Sequence, residues 1–252
     1  MKVVQTIASV ICTGLLLISA SVFAQNQPMG FITTRVDVKP GANGQFENFI
    51  MQFKAAAEET NWPSAWNASQ VAVGTTNQYL FISPFNSHQE LATPVTAVLA
   101  RAHSSDEVAE IVVGLRESVA NMVTGTYYQR DDMSHPPASP VQNQEVVLSI
   151  QVNATPGREL AFEEWLHRVV DASADNITWM AFNKGFGDGP DYVFRIPQTW
   201  ADLDGPASSP QQRVLNAFGP IAGNAIVNMG ANATASRTYQ LHVPRPDLSY
   251  SP

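Results

Sequence analysis

Apolar and polar residues follow two rhythms along this chain, and the rhythms succeed one another in the same order twice. From Phe31 to Val38 the side chains change sides at every step, Phe31, Thr33, Arg35 and Asp37 against Ile32, Thr34, Val36 and Val38. That is the period-two mark of a half-buried strand. Lys39-Pro40-Gly41 stops it, and Phe46, Phe49, Ile50 and Phe53 then recur at helical spacing to about residue 59. Trp62-Pro63 breaks the helix. Residues 66–73 predict a second strand, 74–77 a hairpin turn, and 78–83 a third strand stopped by Pro84. A helix start capped at Asn86 or Ser87 follows, then a longer helix over 105–122 and a strand over 125–130.

The order then begins again. Residues 146–152 alternate as a strand, Pro156-Gly157 ends it, and Phe162, Trp165, Leu166, Val169 and Val170 form the stripe of a helix. Strands over 178–184 and 192–197 flank a turn over 185–190; a short segment over 200–203, a helix over 211–229 and a strand over 237–243 complete the set. Pro40-Gly41 before Phe46-Glu47 corresponds to Pro156-Gly157 before Phe162-Glu163, and Tyr79-x-Phe81-x-x-Pro84 to Tyr192-x-Phe194-x-x-Pro197. The chain therefore reads as one unit written twice. Residues 30–132 form the first repeat, 133–144 a proline-stiffened linker, 145–245 the second repeat, and 246–252 an irregular tail.

Each half is βαββαβ, so right-handed crossovers give a four-stranded antiparallel sheet with both helices on one face. The bare faces of the two sheets carry apolar residues and bury each other. With Phe46-Glu47, Phe162-Glu163 and the two Tyr-x-Phe-x-x-Pro strands, the chain resembles the dimeric α+β barrel superfamily fused in tandem. The resemblance implies an α+β fold of two ferredoxin-like repeats, with sheets packed as an α+β barrel. That superfamily holds cofactor-independent monooxygenases of the antibiotic-biosynthesis type, small-molecule isomerases and dehalogenases, and haem enzymes such as chlorite dismutases and dye-decolourising peroxidases. Fold alone does not choose among them.

Composition narrows the setting. Hydrophobic residues make up 44% and charged residues 14%, which excludes disorder. Lys2 followed by an apolar run over 7–19 and by Val22-Phe23-Ala24 reads as a signal peptide, residues 1–24, cut before Gln25. The expected location is therefore periplasmic or secreted. Cleavage removes Cys12, the only cysteine, so the mature chain has no disulfide and no thiolate nucleophile. A net charge of −8 without a basic cluster excludes nucleic acid and an anionic membrane as partners.

Candidate chemistry is sparse. Arg195 lies on one strand face with Val193 and Pro197; if that face lines the space between the sheets, its guanidinium needs an anion. A bound carboxylate or enolate meets that need, as does an acid from the other half. Trp66, Trp179, Tyr79 and Tyr192, with Asn67 and Asn183 on the same strands, could line a pocket for a small apolar or aromatic ligand; equally, they could be core. His167, beside the helix stripe, is the candidate for a haem ligand or proton carrier. Gly185-x-x-Asp188-Gly189 resembles a motif of the dye-decolourising peroxidases, although its place between two strands reads as a hairpin. Glu47 and Glu163 read as acids facing helix dipoles. No histidine pair has zinc spacing. The leading expectation is an exported small-molecule binder, cofactor-free, with oxygenase-like chemistry through Arg195 or His167. The alternatives are a non-catalytic partner-binding module and a haem protein of the same fold.

Overall fold

Eight strands and six helices follow one another in the computed structural model, which describes residues 28–92, 96–135, 144–173, 178–204 and 209–252. They are β1 (Gly30–Val38), α1 (Asn43–Glu59), β2 (Asn67–Val73), β3 (Gln78–Phe85), α2 (Thr96–Ala102), α3 (Ser105–Ser118) and β4 (Val119–Gln129). There follow β5 (Val146–Ala154), α4 (Glu159–Asp171), β6 (Met180–Gly187), β7 (Tyr192–Gln198), α5 (Trp200–Leu203), α6 (Pro210–Ala233) and β8 (Thr234–Pro244).

All strand pairs are antiparallel, and the ring β1-β3-β2-β8-β5-β7-β6-β4 closes on itself. Within it, β4-β1-β3-β2 and β8-β5-β7-β6 are ferredoxin-like runs of four. They meet edge to edge: Val71 faces His242 across the β2–β8 seam, and Gly125 faces Gly187 across the β4–β6 seam. Edge pairing satisfies the backbone groups that an open sheet would leave bare.

Alternation sorts the side chains. On the outer face Val36, Val38 and Tyr79 pack with Phe46 of α1, and Val152, Tyr192 and Phe194 with Phe162, Trp165 and Leu166 of α4 and Val214 of α6. A third cluster joins Ala56, Ala57, Trp66, Val98 and Leu99 beneath α1 and α2. The opposite face of the same strands points into the barrel.

Several boundaries differ from the sequence pattern. α3 ends at Ser118 because Val119 turns extended (φ −89°, ψ 130°) and pairs with Val38, so β4 begins well before residue 125. β3 and β7 run through Pro84 and Pro197, which the pattern reads as stops. Pairing of β3 with β2 ends at Ile82 and that of β7 with β6 at Arg195, so each proline sits where its strand has one neighbour. β6 continues to Gly187, inside the predicted turn. Gly187 has φ 85°, and a Cβ there would lie 2.5 Å from the Thr124 carbonyl oxygen, so the β4–β6 seam requires glycine. α6 is broken at Gly219 (φ 75°) before Pro220.

The C-terminal tail is also ordered and packed, as is the start of the linker. Arg130-Asp131-Asp132-Met133-Ser134-His135 leaves β4, and Arg245-Pro246-Asp247-Leu248-Ser249-Tyr250 leaves β8. Met133 and Leu248 are fully buried. Trp179 Nε1 donates to the Met133 carbonyl and Trp66 Nε1 to the Leu248 carbonyl, both at 2.8 Å. His135 bridges Trp179, and Tyr250 bridges Trp66. Each segment thus straps down the opposite half of the barrel. Residues 136–143 of the linker and the leader over 1–24 lie outside the described residues.

Candidate functional site

The inward faces of the strands enclose a cavity of about 620 Å³. Phe31, Leu80, Ile82 and Val123 line it from the first half, and Val147, Met180, Phe182 and Val193 from the second. Among these apolar walls stand Arg35, Tyr127, Ser69, Ser149, Gln151 and Arg195. The cavity lies between the two sheets. The three clusters of buried residues lie on the other side of the strands, beneath the helices.

Arg195 sits opposite Ser149 on β5 and Met180 on β6. Among the described residues it has no ion pair and no hydrogen bond, and its Nη1 is buried without a partner. Loss of water pushes its guanidinium down to about 10. Arg35, on β1 between Leu80 and Val123, is likewise unpaired among the described residues, with Nε buried. Asp188 is the acid among the described lining residues, and it is exposed at the rim.

Two further groups set the polarity of the interior. Tyr127 donates its hydroxyl to the Pro190 carbonyl (3.0 Å), and burial pushes its phenol up to about 12, so it stays protonated. His242 is 1% exposed, with Nδ1 3.4 Å from Ser69 Oγ and Nε2 unpartnered. Burial first, and the positive field of Arg195 second, hold it down to about 3, so its ring is neutral. Past Arg35 along β1, Asp37 anchors a chain of amides. Gln78 donates to it (2.5 Å), Gln240 to Gln78 (2.8 Å), and Gln151 to Gln240 (2.6 Å). A carboxylate only accepts, so Asp37 fixes the orientation of every amide in the chain.

Of the residues singled out on sequence, Arg195 reaches the cavity wall and Asn67 its exposed border. Trp66, Trp179, Tyr79 and Tyr192 are not among its lining residues: Tyr79 and Tyr192 turn outward from β3 and β7, Trp66 and Trp179 sit just before β2 and β6, and all four belong to the core beneath the helices. Asn183 faces outward between Phe182 and Lys184, with its Oδ1 buried and unbonded. His167 projects from the outer side of α4, its Nε2 3.2 Å from Asp132 Oδ2. His167 is not among the described residues that line the cavity. Among the described residues no cluster of three His, Cys, Asp or Glu could hold a metal.

Glu47 and Glu163 are hubs and not dipole partners. Glu163 accepts from Tyr192 (2.9 Å) and Arg130 (3.0 Å); Glu47 accepts from Tyr79 (2.5 Å) and Arg245 (2.6 Å). Arg130 and Arg245 belong to the straps, so each network ties one half's strap to the other half's first helix. Arg245 and the Tyr79 hydroxyl hold the Glu47 carboxyl below its usual range, while burial and the Glu47 charge raise Tyr79 to about 12.

Sequence reasoning misses Arg35, His242, Ser69, Ser149 and Gln151. Arg35 carries a signal, since it alternates with Phe31 and Thr33 on the face opposite the core-forming Val36 and Val38. The Arg-x-Asp-x-Ser spacing shared by the two straps is a second signal.

No family model and no curated protein matches this chain. Solved structures do. An anthrone oxidase-like protein aligns at TM-score 0.54 and 10% identity, over 87% of this chain and 92% of that one. A mutant chlorite dismutase from Candidatus Nitrospira defluvii, in complex with cyanide, aligns at 0.51 and 6% over 90% and 95%. A monooxygenase candidate from Fusobacterium nucleatum subsp. nucleatum aligns at 0.50 and 7% over 87% and 94%. At these identities the likeness is one of fold.

Proposed function

We propose that this chain, which has the fold of the dimeric α+β barrel superfamily, is an exported protein that binds a small, mainly apolar molecule inside its barrel. Arg195 anchors an acidic oxygen of that molecule. The observation that carries the reading is the Arg195 guanidinium, which lines an apolar cavity with its Nη1 buried and with no ion pair among the described residues. A cation withdrawn from water without a partner costs several kcal/mol, and a bound carboxylate, enolate or phenolate removes much of that cost. The volume is within the ~300–1,000 Å³ typical of small-molecule sites. Trp66, Trp179, Tyr79 and Tyr192 lie in the core, as a purely structural module also requires, so the binding reading rests on Arg195 and the cavity.

The chemistry this supports is oxygenase-like and needs no resident cofactor. The fold likeness to the anthrone oxidase-like protein favours it. Arg195 lowers the cost of ionising an enol or phenol, and the resulting anion is the electron donor to dioxygen. A methylene flanked by aromatic rings becomes a ketone, with O2 supplying the ketone oxygen and the oxygen of one released water. The tests are titration calorimetry with naphthalene-2-carboxylate and its methyl ester, and oxygen uptake with anthrone in chelator-treated buffer. The acid binds and the ester does not, and Arg195→Leu abolishes both carboxylate binding and anthrone oxidation. Equal binding of acid and ester would remove the anchor role.

Two parts of the reading concern the whole chain. Residues 1–24 act as a cleaved leader, so N-terminal sequencing of the exported protein starts at Gln25. The barrel is also a fused pair of equivalent units, which the repeated element order and the two matching straps support.

A further inference from the structure

We infer that the ligand carries two acidic groups, one at each end of an apolar body, and that Arg35 binds the second. This rests on the proposed binding role of Arg195 and adds the class of molecule. The first observation is that the same cavity holds two guanidinium groups. Arg195 enters from β7 in the second half and Arg35 from β1 in the first, and both line the one space. Each has a buried nitrogen without a hydrogen-bond partner, Nη1 in Arg195 and Nε in Arg35.

The second observation is the lack of matching negative charge around them. Among the described lining residues, Asp188 is the carboxylate, and it is exposed at the rim. Asp37, the next inward residue of β1 after Arg35, is occupied by the amides of Gln78 and Asn121. Lys184, which neighbours the β4–β6 seam, is already paired with Asp191 at 3.0 Å. Two like charges lining one apolar cavity repel each other, and each has a buried nitrogen without a partner, so a single anion leaves one of them uncompensated. A ligand with two anionic groups satisfies both.

The third observation is what surrounds the arginines. Leu80 and Val123 flank Arg35 on β3 and β4, and Met180 flanks Arg195 on β6, with Phe182 and Val193 next along the same faces. The body of the ligand is therefore apolar. Ser149, directly opposite Arg195, and Gln151, the open end of the amide chain, offer hydrogen bonds for orienting it. The chemical class is an α,ω-dicarboxylate, or an aromatic acid with a second ionised oxygen at its far end.

The test is titration calorimetry of the full mature chain with a graded series of α,ω-alkanedioates against monocarboxylates of equal length. A flexible series of graded length covers whatever span separates the two guanidinium groups. The best dicarboxylate should bind at least ~10-fold more tightly than its monocarboxylate. Arg35→Leu should bring the ratio of dicarboxylate to monocarboxylate affinity to near one, while Arg195→Leu should abolish monocarboxylate binding. Arg35→Met, with thermal melting of both Arg35 variants, guards against a folding defect. If monocarboxylates bind and dicarboxylates gain nothing, the two-acid inference is overturned and the Arg195 anchor stands. Equal weakening of both ligand types by Arg35→Leu also overturns it. If neither type binds, the anchor itself is lost and this inference with it.

Discussion

Arg195 is where chemistry and stability pull in opposite directions. Its buried guanidinium lacks an ion pair among the described residues, and burial favours its neutral form. Replacing it with leucine should therefore stabilise the ligand-free protein, by about 1–4 kcal/mol, while abolishing carboxylate binding. Urea melts of the two proteins check this, and a destabilised Arg195→Leu would mean that the cation has a partner within the fold. His242 gives a pH signature. Its folded value, about 3, lies below the 6.5 of a free histidine, so the unfolded chain binds the extra proton. Stability is then full above 6.5 and falls as pH drops toward 3, by up to ~1.4 kcal/mol per pH unit. His242→Gln should flatten that slope between pH 6.5 and about 4.5, above the range where carboxylates protonate. Arg195 is legible in the sequence because an arginine on a strand face with Val193 and Pro197 is anomalous. His242 is not, since its burial depends on a seam between β2 and β8 that joins distant parts of the chain.

At the level of elements, the two straps lock the barrel from segments whose composition reads as tail and linker. Leu248 is fully buried beside Val36, Val38, Phe46 and Tyr79, and the backbone around it is held by Trp66. Leu248→Ala should cost about 2–5 kcal/mol, measured by chemical denaturation. An effect under about half a kcal/mol would show that the strap is a loose end. Strands and helices are legible because their periodicities are local. The straps are not, because Arg-x-Asp-x-Ser has no periodicity and its meaning lies in contacts with the other half. The early end of α3 is hidden for a similar reason: Val119 fits a helix stripe locally and is claimed by β1 only in the sheet.

For the whole molecule, closure makes the site. Two four-stranded runs with free edges would expose their inner faces; paired through β2–β8 and β4–β6, they enclose the cavity with its two arginines. Because each strap grips the opposite half, cutting the chain between residues 136 and 143 should leave two fragments that stay together in native mass spectrometry. Separate folded halves would contradict the interlocked barrel. The repeated pattern announces two sheets with apolar inner faces, and so the existence of a barrel. It does not say that Trp66, Trp179, Tyr79 and Tyr192 belong to the outer core and not to the cavity wall, since period two assigns residues to a face without saying which face is inward. The most direct test is a crystal structure of the protein soaked with a brominated aromatic carboxylate, located by anomalous scattering. The account predicts bromine density inside the barrel with the carboxylate on the Arg195 guanidinium; bromine found only beneath the helices or on the outer surface would contradict it.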